Sequence, residues 1–194
     1  MPVPELLGPR FEEALIYASR LHAAQTRKGS GIPYVSHLMA VSALTLEYGG
    51  GEDEAIAALL HDAVEDQGGE ATRLEILDRF GARITAIVDG CTDTDRVPKP
   101  PWRARKEMYI AHVRTAPPEV RLVSACDKLH NARSLVMDYR AWGESIWSRF
   151  HGGRDGTLWY YRTLVDALRS DGIALLVEEL DRVVTELESL ALRR

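Results

Sequence analysis

The stretch Leu59-Leu60-His61-Asp62-Ala63-Val64-Glu65-Asp66 decides the fold and the site that we predict for this chain. It follows the apolar run Ala55-Ile56-Ala57-Ala58, which predicts a buried helix. That helix therefore ends in one imidazole and three carboxylates. Burying such groups without partners costs several kcal/mol or forces the carboxylates to become neutral. The stretch requires a metal ion, a cationic pocket or solvent.

The spacing within this stretch favours a metal ion. His61 and Glu65 are four residues apart, and so are Asp62 and Asp66, which places each pair on one side of a helix. We predict a continuous helix over about 52–65. On this helix His61 and Asp62 would bind the metal, and Glu65 and Asp66 would lie one turn further along, near its open side.

The composition is that of an ordinary globular protein. A chain of 194 residues with 45% hydrophobic and 27% charged residues can bury the core of one domain, and we predict a single domain over 1–194. The net charge of −5 argues against a nucleic-acid partner.

The sequence also predicts a cytoplasmic protein. Its apolar runs are shorter than the roughly 20 residues of a membrane span, so we expect no membrane partner. The first residues lack the basic and apolar regions of a signal peptide. Cys91 and Cys126 form no disulfide framework and are interpreted as reduced thiols.

Apolar residues recur at helical spacing along most of the chain, and convincing strand alternation is absent. The sequence therefore predicts an all-α fold, a compact bundle of about eight to ten helices. Residues 1–8 are interpreted as a leader and 91–101 as a loop, while 138–156 show no clear period. Besides 52–65, the predicted helices lie at about 9–26, 36–48, 72–80, 84–90, 102–114, 117–129 (continuing near 135–137 after a bend), 156–168 and 170–187.

Four residues form a plausible set of metal ligands: His37, His61, Asp62 and Asp127. Two imidazoles and two carboxylates suit Mn²⁺ or Fe²⁺ and can also hold Zn²⁺ or Mg²⁺. His37 lies in the first turn of the second predicted helix, where it could instead pack on Tyr34. Asp127 follows an apolar run and is predicted to point inward, so it needs a partner. Lys128 and Arg133 are the alternative partners to a metal.

Two further sets of side chains suggest phosphate chemistry. Glu65 and Asp66 are candidates for a general base or proton carrier, because acidic residues near a helix end are electrostatically unfavourable without another role. Cations cluster at Arg27-Lys28, at 103–106 and at Lys128, and together they would hold a multiply phosphorylated anion. Arg27 could also stack on a nucleotide base. The remaining histidines are assigned structural or surface positions: His22, His112, His130 and His151.

These residues together resemble a known family. The order His37, His61-Asp62, Asp127 resembles the H…HD…D pattern of the HD phosphohydrolase superfamily. A fuller pattern resembles the hydrolase domain of RelA/SpoT-type proteins, whose stand-alone members are small alarmone hydrolases, and it covers about residues 10–170. Its segments are Arg27-Lys28, Pro33-Tyr34, His37, His61-Asp62-Ala63-Val64-Glu65-Asp66 and Asp127-Lys128-Leu129-His130-Asn131.

The resemblance implies an all-α HD fold and Mn²⁺-dependent removal of the 3′-pyrophosphate from (p)ppGpp, to give GDP or GTP and pyrophosphate. It also implies a role for each matching residue. The metal ligands would be His37, His61, Asp62 and Asp127, and the pair handling the attacking water Glu65 and Asp66. The substrate contacts would be Arg27, Lys28, Lys128 and Asn131. Leu38 departs from the pattern, since the family often has proline after the histidine.

Two other functions remain open at this point. One is an HD phosphohydrolase acting on another nucleotide, such as NADPH or a nucleoside phosphate. The other is a non-catalytic sensor that binds a guanine alarmone, which the Glu65-Asp66 pair disfavours because binding needs no water activator. In each case the expected partner is a small-molecule nucleotide. The sequence leaves the oligomeric state open.

Overall fold

Helices make up the architecture of the residues that the structure, a computed structural model, describes. These are residues 6–93, 98 and 100–192, with the backbone but not the side chain of Asp171. Within these ranges we find no strand, and Thr26 and Pro33 form an isolated β-bridge. The predicted all-α fold is confirmed. Parts of the predicted leader and loop, at 1–5, 94–97 and 99, lie outside the described residues.

The described residues form ten α-helices, within the predicted number, and two short 3₁₀ helices at Gly143–Arg149 and Asp171–Ile173. The α-helices are α1 (Pro9–Leu21), α2 (Val35–Glu47), α3 (Glu52–Leu60), α4 (Ala63–Asp66), α5 (Glu70–Phe80), α6 (Ala82–Cys91), α7 (Trp102–Thr115), α8 (Pro118–Trp142), α9 (Gly153–Leu168) and α10 (Ala174–Leu192). None of the described helices is long and apolar enough to cross a membrane.

The chain divides into two compact units, unit 1 over Met1–Asp95 and unit 2 over Arg96–Arg194. Unit 1 contains α1 to α6, and unit 2 contains α7 to α10. The single domain predicted for 1–194 stays a prediction.

Helix α3 is the centre of unit 1. Its residues 55–60 are fully buried, and α1, α2 and α6 pack against it. Its first turn, in contrast, is acidic and ion-paired: Arg10 lies 3.0 Å from Asp53, and Arg83 lies 2.7 Å from Glu54. Acidic groups in the first turn also interact favourably with the positive end of the helix dipole. These contacts fix the direction of α3 and therefore the position of its C-terminal end.

Unit 2 is built on the packing of α8 against α10, with α9 against α10 and α7 against α9. Arg162 of α9 pairs with two acids of α10, at 2.5 Å from Asp181 and 2.6 Å from Glu188. Gly152, just before α9, lies against the Trp102 ring of α7, where a Cβ atom would be 2.5 Å from the nearest ring carbon. Only glycine allows this close approach of loop and indole.

Several predicted boundaries differ from the structure. Helix α1 ends at Leu21 rather than near residue 26, and α2 begins at Val35, one residue before its predicted start. Helix α5 begins at Glu70 rather than near residue 72, so Thr72 lies inside it, and the Thr72 hydroxyl donates to the carbonyl of Gln67. Helix α8 is one continuous helix of 25 residues, although the sequence suggested a bend.

Candidate active site

The quoted stretch does not form one continuous helix. Helix α3 ends at Leu60, and His61 and Asp62 lie between α3 and α4. The last four carbonyls of a helix have no partner within it, and one of them, the Ala58 carbonyl, lies 2.8 Å from His61 Nδ1. Because a carbonyl only accepts hydrogen bonds, His61 Nδ1 carries the proton, and Nε2 has the lone pair in the neutral ring. The predicted helix over 52–65 was wrong in this respect, and the interruption gives His61 a defined tautomer.

Two histidines of unit 1 direct their Nε2 atoms toward one carboxylate oxygen. Asp62 Oδ2 lies 3.0 Å from His61 Nε2 and 3.7 Å from His37 Nε2. The two imidazole rings are 5.3 Å apart, and both are buried. Two imidazole nitrogens and a carboxylate oxygen are the mixed donor set that divalent first-row metals accept. We call His37, His61 and Asp62 the His–His–Asp cluster, and its donor set fits a divalent ion.

Tyr34 supports this cluster from the loop before α2. Its hydroxyl donates to Asp62 Oδ2 at 2.5 Å, and its ring meets the edge of His37 at 5.4 Å. Hydrogen bonds of this kind orient metal-binding carboxylates. The Arg27 guanidinium lies 5.9 Å from the centre of the Tyr34 ring, while Lys28 is exposed in the same loop. Arg27 therefore lies beside Tyr34, and its predicted contact with a nucleotide stays a prediction.

Glu65 and Asp66 lie on the four-residue helix α4, directly after the cluster. Glu65 is half-buried, and its Oε2 accepts from the Asp93 backbone N–H at 3.4 Å. Asp66 is exposed, and its Oδ2 accepts from Gln25 Nε2 at 2.8 Å. The two acids thus differ in exposure and in partners, so they need not have the same role.

The other predicted ligand, Asp127, lies on α8 in unit 2. It is buried, and both of its carboxylate oxygens have partners in that unit. Lys128 Nζ lies 2.5 Å from Oδ2, and Asn131 Nδ2 donates to Oδ1 at 2.5 Å. The alternative pairing with Lys128 that the sequence left open is therefore present, whereas Arg133 pairs with Glu179 at 2.9 Å.

Lys128 is a buried cation stabilised by its surroundings. Burial disfavours its charge, but Asp127, Tyr109 and Tyr160 outweigh that effect and raise the pKa of the Lys128 ammonium well above its ordinary value. Its Nζ lies 5.0 Å from the centre of the Tyr109 ring. Lys128 and Asn131 thus contact Asp127 directly, and their predicted contact with substrate stays a prediction.

The basic residues at the start of α7 pack on aromatic rings of α9. Arg103 Cζ lies 3.2 Å from the centre of the Trp159 ring, and Lys106 Nζ lies 4.9 Å from that of Tyr160. Cations stacked on aromatic faces are held in place and can still contact an anion. The predicted convergence of this basic group with Arg27-Lys28 stays a prediction.

From the sequence we missed several partners of the predicted residues. Tyr34 was considered only as a packing surface for His37, Gln25 was assigned no role and His22 was given a structural position. The spacing of three residues between His22 and Gln25, at the end of an amphipathic helix, is the signal that could have connected them.

Comparison with known proteins decides the family. A family model described as HD domain matches residues 14–158. The chain belongs to the HD-domain family. This HD-domain protein is 36% identical over 126 residues to a human protein named guanosine-3′,5′-bis(diphosphate) 3′-pyrophosphohydrolase MESH1, and the match covers 63% of this chain and 68% of that one. It is 32% identical over 149 residues to the protein of the same name from Xenopus tropicalis, covering 69% of this chain and 80% of that one.

A longer relative and a solved structure are also similar to this chain. A probable GTP pyrophosphokinase of Mycobacterium leprae is 35% identical over 127 residues, which cover 64% of this chain but 16% of that protein. One solved structure is described as a metazoan ortholog of SpoT that hydrolyses ppGpp and plays a role in starvation responses. It matches with a TM-score of 0.76 and 30% identity, covering 91% of this HD-domain protein and 94% of that chain.

Proposed function

We propose that this HD-domain protein is a metal-dependent phosphohydrolase that removes the 3′-pyrophosphate of (p)ppGpp, releasing GDP or GTP and pyrophosphate. The observation that carries the proposal is the His–His–Asp cluster followed at once by two acids on α4. Two relatives named as 3′-pyrophosphohydrolases, of which the chain covers 68% and 80%, support the substrate.

The metal would be held by His37, His61, Asp62 and Asp127. The first three form the His–His–Asp cluster of unit 1, and the order H…HD…D supports the assignment of Asp127. We propose Mn²⁺, which accepts a mixed set of imidazole and carboxylate ligands. When bound, such an ion polarises phosphoryl oxygens and lowers the pKa of a coordinated water.

The acids on α4 would move the proton. Attack by water on the phosphorus bonded to the ribose 3′-oxygen breaks that P–O bond, and the nucleotide leaves with its 3′-oxygen protonated. Glu65 or Asp66 would accept the proton that the water loses and pass it to the 3′-oxygen of the leaving nucleotide. Glu65 is the better base candidate because it is half-buried, whereas Asp66 is exposed and accepts a hydrogen bond from Gln25.

Cations near the cluster would bind the nucleotide. Arg27, which lies beside Tyr34, is suited to stack on the guanine base, and Lys28 to contact a phosphate. Lys128 and Asn131 of unit 2, which both contact Asp127, would also contact the substrate. We further propose a cytoplasmic protein whose partner is this small nucleotide rather than a nucleic acid or a membrane.

A substrate panel tests the proposal. The Mn²⁺-loaded protein is incubated separately with ppGpp, NADPH and nucleoside monophosphates, and the His61→Ala variant is the control. Pyrophosphate from ppGpp, lost in the variant, supports the proposal. Orthophosphate from another nucleotide with ppGpp untouched points to a different phosphohydrolase. Tight ppGpp binding without product points to a sensor.

A further inference from the structure

A short chain of hydrogen bonds in unit 1 leads from the end of α1 to α4. The Gln25 side chain is its centre: Nε2 lies 2.8 Å from Asp66 Oδ2, and Oε1 accepts from Gln67 Nε2 at 2.6 Å. The same Oε1 lies 2.6 Å from His22 Nδ1. His22 is 2% exposed, so this series of hydrogen bonds begins in the interior and ends at the exposed carboxylate of Asp66.

The chemistry of the groups fixes the direction of each hydrogen bond. A carboxylate only accepts, so the amide nitrogen of Gln25 must face Asp66 and its oxygen must face away. That oxygen then requires donors on its other side, which are Gln67 Nε2 and the protonated Nδ1 of His22. The three contacts therefore agree on one orientation of the Gln25 amide, with the donor end toward Asp66.

The position of Gln25 is tied to the His–His–Asp cluster as well. The Gln25 carbonyl accepts from the Tyr34 backbone N–H at 2.9 Å, and the His22 ring stacks on the Tyr34 ring at 5.4 Å and 21°. Tyr34 in turn donates to Asp62 Oδ2. The side chain of Gln25 thus holds Asp66 while its backbone holds the residue that orients Asp62.

We propose that Gln25, held by His22 and Gln67, is a positioning residue for Asp66. This role rests on the proposed function, in which Asp66 belongs to the pair that handles the attacking water. A hydrogen bond from a fixed amide limits the rotamers that this exposed carboxylate can adopt. Reacting groups must be held to within roughly 0.5 Å of their productive geometry, so this restriction has a direct effect on turnover.

A merely structural role for Gln25 makes different predictions. If Gln25 only attaches the loop after α1 to α4, its replacement lowers the stability of the protein and leaves kcat of the folded protein unchanged. If it positions Asp66, its loss lowers kcat with little change in KM, because the substrate-binding residues stay in place. The loss of kcat caused by replacing Gln25 should also disappear once Asp66 can no longer act, since the effects of substitutions in residues that work as a unit are not additive.

The kinetic test compares variants of the Mn²⁺-loaded protein with ppGpp as substrate. We expect Gln25→Leu to lower kcat by about 10- to 100-fold, which is the scale of a small misplacement of a reacting group. Gln25→Glu has a side chain of the same length but repels Asp66, so we expect a loss of the same size. His22→Asn, which keeps an N–H donor for Gln25, should retain more activity than His22→Leu. Arg20→Leu, an exposed change nearby on α1, is the matched control and should behave as wild type.

The decisive comparison is Gln25→Leu in two backgrounds. A loss of kcat in the wild type that vanishes in Asp66→Asn supports the proposal. Equal losses in both backgrounds, or a normal kcat in correctly folded Gln25→Leu, overturn it.

A second readout does not depend on activity. The side-chain amide resonances of Gln25, recorded by ¹⁵N NMR on the metal-free protein, should shift in Asp66→Ala and in His22→Leu but not in Arg20→Leu. Unchanged resonances in Asp66→Ala overturn the inference whatever the substrate is. A wild type inactive on ppGpp, with the expected resonance shifts, instead overturns the proposed function and the catalytic part of this role while the contact itself stands.

Discussion

His61 shows how a single residue links the fold to the site. Its Nδ1 satisfies the Ala58 carbonyl at the end of α3, and its Nε2 therefore faces Asp62. Removing the ring takes away one proposed nitrogen ligand and the group that sets the geometry of the cluster. We expect His61→Ala and Asp127→Ala to abolish metal retention. The control is His151→Ala, a change at an exposed position, which should bind metal as the wild type does. Elemental analysis of the purified variants measures this, and equal metal in wild type and His61→Ala contradicts it.

Glu65 gives a second prediction at this scale, because it should matter for turnover and not for metal binding. Glu65→Gln keeps the shape of the side chain and removes the base. We expect kcat to fall by roughly 10²- to 10⁴-fold, the usual contribution of general acid–base catalysis, with normal metal content. Glu70→Gln, at an exposed position of α5, is the control. An unchanged kcat in fully metal-loaded Glu65→Gln rejects the assignment.

At the scale of the element, the close packing before α9 depends on the absence of a side chain. A Cβ atom at Gly152 would come within 2.5 Å of the Trp102 ring, so the loop or the indole must move. We expect Gly152→Ala to lower the free energy of unfolding by about 1–3 kcal/mol, the usual cost of overpacking. Gly172→Ala is the matched control, because a Cβ atom there meets nothing within 4 Å. Urea unfolding of both variants measures the difference, and equal stabilities contradict the packing argument.

Helices α8 and α10 are also joined by a charge cluster that responds to pH. A hydrogen bond from Arg182, opposed by burial and reinforced by Arg133, lowers the pKa of Glu179 from 4.5 to about 2. A carboxyl with a depressed pKa stabilises the fold above its ordinary pKa, and this contribution is lost as the pH falls from about 4.5 to about 2. Between pH 6 and pH 3.5, wild type and the control Glu178→Gln should therefore lose more unfolding free energy than Glu179→Gln. Equal losses in all three proteins contradict this account.

Element by element, the sequence predicts more of the fold than of the site. Amphipathic spacing located the helices, because apolar periodicity reflects burial directly. It did not predict the interruption at His61 and Asp62, since His61 is stabilised there by a bond to Ala58 and not by a glycine or proline. Long-range partners were also inaccessible: nothing local in the sequence pairs Gln25 with Asp66, which are 41 residues apart.

At the scale of the whole molecule, the region that identifies the family also contains the residues of the proposed reaction. The HD-domain match over residues 14–158 includes all the predicted metal ligands and both acids on α4. The long relatives carry the same region within much larger chains, of which this chain covers 16% in Mycobacterium leprae. The matched region is therefore the part of this chain that contains the residues of the proposed hydrolysis.

The position of bond cleavage tests the central claim most directly. The Mn²⁺-loaded protein is incubated with ppGpp in water enriched in ¹⁸O, the reaction is stopped with a chelator, and the products are analysed by mass spectrometry. We expect GDP and intact pyrophosphate, with the label in pyrophosphate, because water attacks the phosphorus and the ribose keeps its 3′-oxygen. Orthophosphate as the first product, or label in GDP, would contradict it.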